Sequence, residues 1–180
     1  ADDADVPVGL PARLVTLRAF PLSGRSVGVS LLGVTDAAAA SEALRRQALF
    51  DGLTGLPNRR LLDDRLRQAL HLAQRRDARV AVLLVDLDEF KQVNDAHGHR
   101  AGDAVLREVA ERLGACVRKA DTLARQGGDE FVVVIPDLAQ EADCRVVAEK
   151  ILRPLAAPLR AEGAALRLGA SIGISLYPAD

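Results

Sequence analysis

Residues 80–85 read Val-Ala-Val-Leu-Leu-Val, six apolar residues in a row that stop at Asp86. The run is far shorter than the ~18 residues of a membrane-spanning helix. It fits a strand covered on both faces by helices. A second run, Phe-Val-Val-Val-Ile over 131–135, follows Gly127-Gly128-Asp129-Glu130, and the strand-like stretch 122–125 precedes it. A Gly-Gly pair between two such stretches predicts a hairpin. Helical spacing surrounds these runs. Leu61, Leu62, Leu66, Leu70 and Leu72 follow Pro57, which is placed as a first helical residue. A short polar helix is expected over 88–96, and another, with Asp103 near its start, carries Val105, Leu106, Val109 and Leu113. A helix over 142–159 with Pro154 near its end and a strand over 166–177 complete the series. This order predicts an α/β or α+β layer fold, a central sheet with helices packed on it.

Upstream the pattern differs. Residues 12–20 and 26–32 read as two strands joined by the turn residues 21–25, and Asp36 is a plausible N-cap for a helix through Leu44 and Ala48. Two strands cannot bury a core by themselves. Residues 1–35 are therefore expected to be the tail of an upstream domain, residues 36–50 a connector helix, and residues 51–180 the main domain. The chain contains no Met, so Ala1 is not a translation start and a longer parent protein is expected.

Composition excludes several classes of function. With 49% hydrophobic and 27% charged residues, the 180-residue chain reads as globular rather than disordered or fibrous. No signal peptide opens it. The net charge of -1 offers no broad basic surface for a nucleic-acid polymer, and 3% aromatic residues leave few stacking platforms for bases. Cys116 and Cys144 lack CxxC spacing and suit small apolar filler in helix-like stretches.

Carboxylates are normally solvated, so those forced to strand ends and tight turns carry the information. Asp86 closes an apolar strand, and Asp129 with Glu130 caps a hairpin. If these strands are neighbours, three acids converge at one sheet edge, where their mutual repulsion favours either a proton or a divalent cation. Hard oxygen donors of this kind suit Mg²⁺ or Mn²⁺, which retain sites for a substrate's phosphate oxygens. Gly127 and Gly128 would let a nucleotide lie against the backbone. Spacing alone leaves a second reading open, a solvated turn that happens to be acidic.

The residues themselves resemble a known family. Gly127-Gly128-Asp129-Glu130-Phe131 is similar to the signature of the GGDEF family, the diguanylate cyclases. Residues 51–59, Asp-Gly-Leu-Thr-Gly-Leu-Pro-Asn-Arg, resemble its opening segment. Residues 86–95, then His97-Gly98-His99 and Gly102-Asp103, resemble its nucleotide-binding stretch, and 171–174, Ser-Ile-Gly-Ile, its late strand. Such domains condense two GTP into cyclic di-GMP, each 3′-hydroxyl attacking the other nucleotide's α-phosphate and releasing pyrophosphate.

By this resemblance, Asp86, the carbonyl of Leu87, Asp129 and Glu130 would hold the metal ions, Asp129 would assist deprotonation of the 3′-hydroxyl, and Glu130 would share the catalytic role. Asn94 and Asp103 match the guanine-recognising pair; a carboxylate can accept from guanine's N1–H and N2–H₂ and an amide can donate to O6 or N7. Lys91 and the amides near Glu89 and Phe90 match phosphate-holding positions, with Gly127 and Gly128 alongside. Bland roles stand beside these: Asn94 as a helix-end cap, Asp103 as an N-cap, Lys91 as a solvated charge. Arg118-Lys119-Ala120-Asp121 matches the family's RxxD inhibitory site, implying feedback by cyclic di-GMP, against the alternative of a helix-terminal Arg and a strand-opening Asp. Catalysis would need a homodimer about a two-fold axis. The upstream hairpin resembles the closing strands of a PAS sensor. Family members continue beyond residue 180 with basic phosphate-holding residues, so weak nucleotide binding by this chain is expected. The last strand resembles members joined to an EAL phosphodiesterase domain, which leaves open a regulatory module that binds GTP or cyclic di-GMP and controls its neighbour. A cytoplasmic location is expected, with no membrane contact from this stretch.

Overall fold

The computed structural model describes residues 15–21, 27–161 and 163–180. Residues 12–14, the turn residues 22–25 and Ser26 of the upstream reading lie outside them. The chain divides into two compact units, residues 1–46 and 47–180.

In the first unit, β1 (Val15–Pro21) and β2 (Val27–Gly33) form an antiparallel pair, Val15 opposite Gly33. Helix α1 (Val34–Leu49) follows β2 without a break. It therefore begins before Asp36, which lies inside the helix rather than capping it. Residues 38–48 are exposed.

The second unit is a four-stranded antiparallel sheet of order β4-β5-β3-β8, built from β3 (Arg79–Leu87), β4 (Thr122–Gly127), β5 (Glu130–Leu138) and β8 (Ala170–Tyr177). Its helices are α2 (Arg59–Arg76), α3 (Phe90–His97), α4 (His99–Gly114) and α5 (Ala142–Leu155). On one face, Ala81, Leu83, Val85, Leu87, Phe131, Val133 and Ile135 pack with α4 and α5 side chains such as Val105, Leu113 and Ile151. On the other, Val80, Ala124, Val132 and Val134 pack with Leu62 and Ala73 of α2. Cys116 and Cys144 are free thiols in the first core, as small apolar filler; Cys116 lies beyond the end of α4.

Four details differ from the sequence reading. Cover on both faces of β3 is incomplete, because α2 shields only its start and Leu84 remains 42% exposed. Pro57 stands outside α2, and Asn58 is the N-cap, its Oδ1 accepting from Arg60 N and Leu61 N at 3.0 and 3.2 Å. The last helix ends at Leu155, after which β6 (Leu159–Ala161) and β7 (Ala164–Leu166) form a small hairpin, so the closing strand starts only at Ala170. Arg112 fixes that end: Nη1 donates to Pro154 O and Ala157 O at 2.7 Å, and Nη2 to Pro158 O and Glu108 Oε1 at 2.5 Å. Finally, β3 and β5 are the central strands, so the acids meet at the end of the sheet's middle and not at its edge.

Candidate functional site

Antiparallel register brings two of the acids together. Asp86 on β3 is opposite Glu130 on β5, a pairing that places Cβ atoms about 4.5–5.5 Å apart on one face. Asp129 occupies the two-residue turn between β4 and β5 with Gly128. Gly128 takes the left-handed conformation, φ 52°, and a Cβ on Gly127 or Gly128 would meet nothing within 4 Å. The turn therefore leaves open space beside its backbone. Burial raises the Asp86 carboxyl above its ordinary 3.8, and the nearby charges of Asp129 and then Asp88 raise it further. Uncompensated carboxylates of this kind are the donor chemistry of a hard divalent cation. Among the described residues no three His, Cys, Asp or Glu side chains stand close enough to enclose a metal ion. The expected convergence of Asp86, Asp129 and Glu130 into one ion-enclosing group is therefore not formed in this structure; Asp86 and Glu130 are paired across the strands, with Asp129 on the adjoining turn.

Beyond β3 the chain turns sharply. Glu89 adopts φ 59°, unusual for a residue with a Cβ, and α3 begins at Phe90. Such a turn aims successive amides outward, the geometry of an anion-binding nest. Lys91 is exposed on the first turn of α3, and Phe90 is buried beneath it.

Helices α3 and α4 pack closely. Asn94 lies directly over Gly102, where any Cβ would collide with its Oδ1. Asp103, half-buried, sits on the next residue. Gly98 is the N-cap of α4, so Asp103 is within the helix and the capping role is excluded. The Gly98 amide bonds the backbone carbonyl of Asn94 and not its side chain. Asn94 therefore sits at the contact between α3 and α4, with Asp103 one residue beyond Gly102 on α4.

Arg118 and Asp121 form a tight turn between α4 and β4. Arg118 N donates to Asp121 Oδ2 at 2.8 Å, and Asp121 N to Arg118 O at 3.1 Å. Arg118 is exposed and lies past the end of α4, which removes the helix-terminal role.

One contributor carried no role in the sequence reading. Arg125 donates from Nε and Nη2 to Gly128 O at 3.0 and 2.7 Å, and from Nη1 to both Asp51 oxygens at 2.9 and 3.1 Å. It ties the acidic turn to the segment before α2. The signal was present, since Asp51 opens one quoted motif and Arg125 precedes another, but only the fold places them together. The same segment is closed by Asn58, whose N bonds Leu49 O at 2.9 Å and whose Nδ2 bonds Ala48 O at 3.0 Å.

Comparison with known proteins shows the family. The family model described as diguanylate cyclase, GGDEF domain, matches residues 48–180. The bifunctional diguanylate cyclase/cyclic di-GMP phosphodiesterase MucR of Pseudomonas aeruginosa is 53% identical over 146 residues, covering 81% of this chain and 21% of MucR. The GGDEF domain of TpbB from P. aeruginosa superposes with TM-score 0.70 at 43% identity, covering 72% of this chain and 76% of that one. The coiled coil and GGDEF domain of DgcB from Caulobacter crescentus, in complex with c-di-GMP, superposes with TM-score 0.73 at 30% identity, covering 79% and 76%. The chain spans about a fifth of MucR and a third of full-length TpbB. Acids paired across central strands, the glycine turn beside them and the match over residues 48–180 together make this chain a member of the GGDEF domain family.

Proposed function

We propose that this protein is a diguanylate cyclase, joining two GTP molecules into cyclic di-GMP with release of pyrophosphate and inhibited by that product. The observation that carries the reading is the pairing of Asp86 with Glu130 beside the turn that holds Asp129, where burial and then the charge of Asp129 raise the Asp86 carboxyl, an arrangement that a cation would relieve. Asp86, the Leu87 carbonyl, Asp129 and Glu130 would hold Mg²⁺ or Mn²⁺, which when bound would lower the pKa of the attacking hydroxyl and offset charge on the leaving group. Asp129 accepts the 3′-hydroxyl proton. Asn94 and Asp103 grip the guanine in the groove between α3 and α4. Lys91 and the amides around Glu89 and Phe90 hold phosphates, and the bare backbone at Gly127 and Gly128 admits the nucleotide. Each domain presents one GTP, so two copies must meet face to face, and α1 with a PAS-like upstream domain would regulate that encounter. Arg118 and Asp121 bind the product.

Incubating the intact gene product with GTP and Mg²⁺ tests this: cyclic di-GMP should accumulate, and Asp129→Ala should abolish synthesis without changing the circular dichroism spectrum. Undiminished synthesis by that variant removes the assignment. A second reading is favoured by two relatives named cyclic di-GMP phosphodiesterases, NbdA of Pseudomonas aeruginosa at 39% identity and PdeR of Escherichia coli at 39%: a domain that binds GTP or cyclic di-GMP and controls an adjacent EAL phosphodiesterase. It predicts nucleotide binding with no product from GTP alone.

A further inference from the structure

We propose that Asp88 is a positioning residue that pins the β3–α3 turn to β8, fixing the Leu87 carbonyl and the amides of residues 89–91 for a nucleotide. Its function for a nucleotide rests on the cyclase reading; the pinning itself does not. Asp88 follows the last residue of β3, yet its contacts all run to the far side, away from Glu130. Its N–H donates to Gly169 O at 3.0 Å, and its Oδ1 accepts from Ser171 Oγ at 2.7 Å. Its Oδ2 stands where a side chain at 169 would begin, so a larger residue there would push the carboxylate aside. Ser171 is opposite Asp86 in the β3–β8 ladder, and Ala170 is opposite Leu87. The backbone bond to Gly169 therefore extends that ladder by one residue after β3 has ended, and the carboxylate's bond to Ser171 braces it.

The pin adds to two other restraints: Leu87 and Phe90, on either side of residues 88 and 89, are buried in the core, and Gln92 N donates to Glu89 O at 2.8 Å. A cavity of about 550 Å³ lies against the turn, lined by Asp88 and Glu89 together with Gln92, Leu168 and Gly169. Glu89 sits in the left-handed region, which costs about 1 kcal/mol or more and persists only where neighbours over-determine it. No core side chain backs Glu89, which is exposed. Between those two buried residues, polar bonds from Asp88 to Gly169 and to Ser171 of β8 hold the exposed part of the turn.

Four variants separate position from charge and from bulk stability. In Asp88→Ala and Ser171→Ala the side-chain bond is lost while the backbone bond from Asp88 N to Gly169 O remains; Gly169→Ala displaces the carboxylate from the opposite side; Asp88→Asn keeps an acceptor for Ser171 without the charge. Cyclic di-GMP synthesis should fall about 10- to 100-fold in the first three, as for loss of a supporting contact at an ion site, mainly in kcat. It should recover to within about threefold of wild type in Asp88→Asn, the conservative rescue that positioning by a retained acceptor requires. Without nucleotide, ¹⁵N order parameters at residues 89–91 should drop from about 0.85 to below about 0.6 in Asp88→Ala and stay high in Asp88→Asn. Equal loss in Asp88→Asn and Asp88→Ala would mean charge is what matters and overturns the proposal. So would unfolding midpoints that fall while kcat and order parameters hold. If wild type makes no cyclic di-GMP, the cyclase reading fails, and the order parameters still decide whether Asp88 pins the turn.

Discussion

Arg125 spends one guanidinium on two acceptor sites, the Asp51 carboxylate and the Gly128 carbonyl, a span a lysine ammonium cannot reproduce. Its effect on Asp51 is readable in pH. Burial raises the Asp51 carboxyl, but hydrogen bonds from Thr54, at 2.6 Å from Oγ1 and 2.9 Å from N, and from Arg125 outweigh it and hold the group below its ordinary 3.8. A depressed acid stabilises the fold above its unfolded value and loses that contribution as pH falls through the folded one. Asp51→Asn should therefore lower the thermal midpoint at neutral pH, with the deficit shrinking only below pH 3.8; a deficit constant down to pH 2 would place the effect elsewhere. Asp86 has the opposite sign. Its raised carboxyl favours the fold below 3.8 and loses that contribution as pH rises through the raised value. Without divalent cation at pH 7, Asp86→Asn should raise the midpoint while abolishing synthesis, and added Mg²⁺ with GTP should stabilise wild type but not the variant. A variant no more stable than wild type without cation would show that the carboxylates are not under repulsion.

Elements were legible in the sequence to the extent that one local pattern decided them. The apolar run at 80–85 and the Gly-Gly pair at 127–128 sufficed for β3 and for the β4–β5 hairpin, because burial and turn chemistry are written in adjacent residues. The β6–β7 hairpin was not legible. It is fixed by Arg112, which reaches from α4 to carbonyls more than 40 positions away, and no window of sequence contains that contact. The same holds for Arg125 and Asp51, 74 positions apart, and for Asp88 and Ser171, 83 apart. Asn94 and Asp103 were placed by motif resemblance, but the reason for Gly102 between them emerges only when α3 lies on α4. Gly102→Ala gains helix propensity of about 1 kcal/mol, yet its methyl displaces the Asn94 carboxamide. The expected result is a near-unchanged midpoint with GTP-analogue affinity, by calorimetry, down about tenfold, the worth of one or two hydrogen bonds. Unchanged affinity would remove Asn94 from the guanine site.

At the scale of the whole molecule, the proposed product sets two demands that a single domain cannot meet. Cyclic di-GMP has two-fold symmetry and each domain would bring one nucleotide, so synthesis per chain should fall on dilution below the dimerisation range, where GTP binding by each domain would persist. Among the described residues, no helix is long and apolar enough to cross a membrane, and α1 between residues 38 and 48 is exposed along its length, which leaves it open to pairing with a second copy. The product is also the proposed inhibitor, and the turn at Arg118 and Asp121 stands apart from Asp86 and Glu130 in the fold: it precedes β4 at Thr122, whereas those acids flank the opposite end of the hairpin at Gly127. Arg118 makes no ion pair among the described residues, so its removal should cost little stability. Arg118→Ala should keep the initial rate and the midpoint while progress curves, which bend over in wild type as product accumulates, become straight to higher conversion. Curves that bend equally in both proteins would place product inhibition at the active site itself, where product and GTP compete, and would leave the 118–121 turn as a structural connection between α4 and β4.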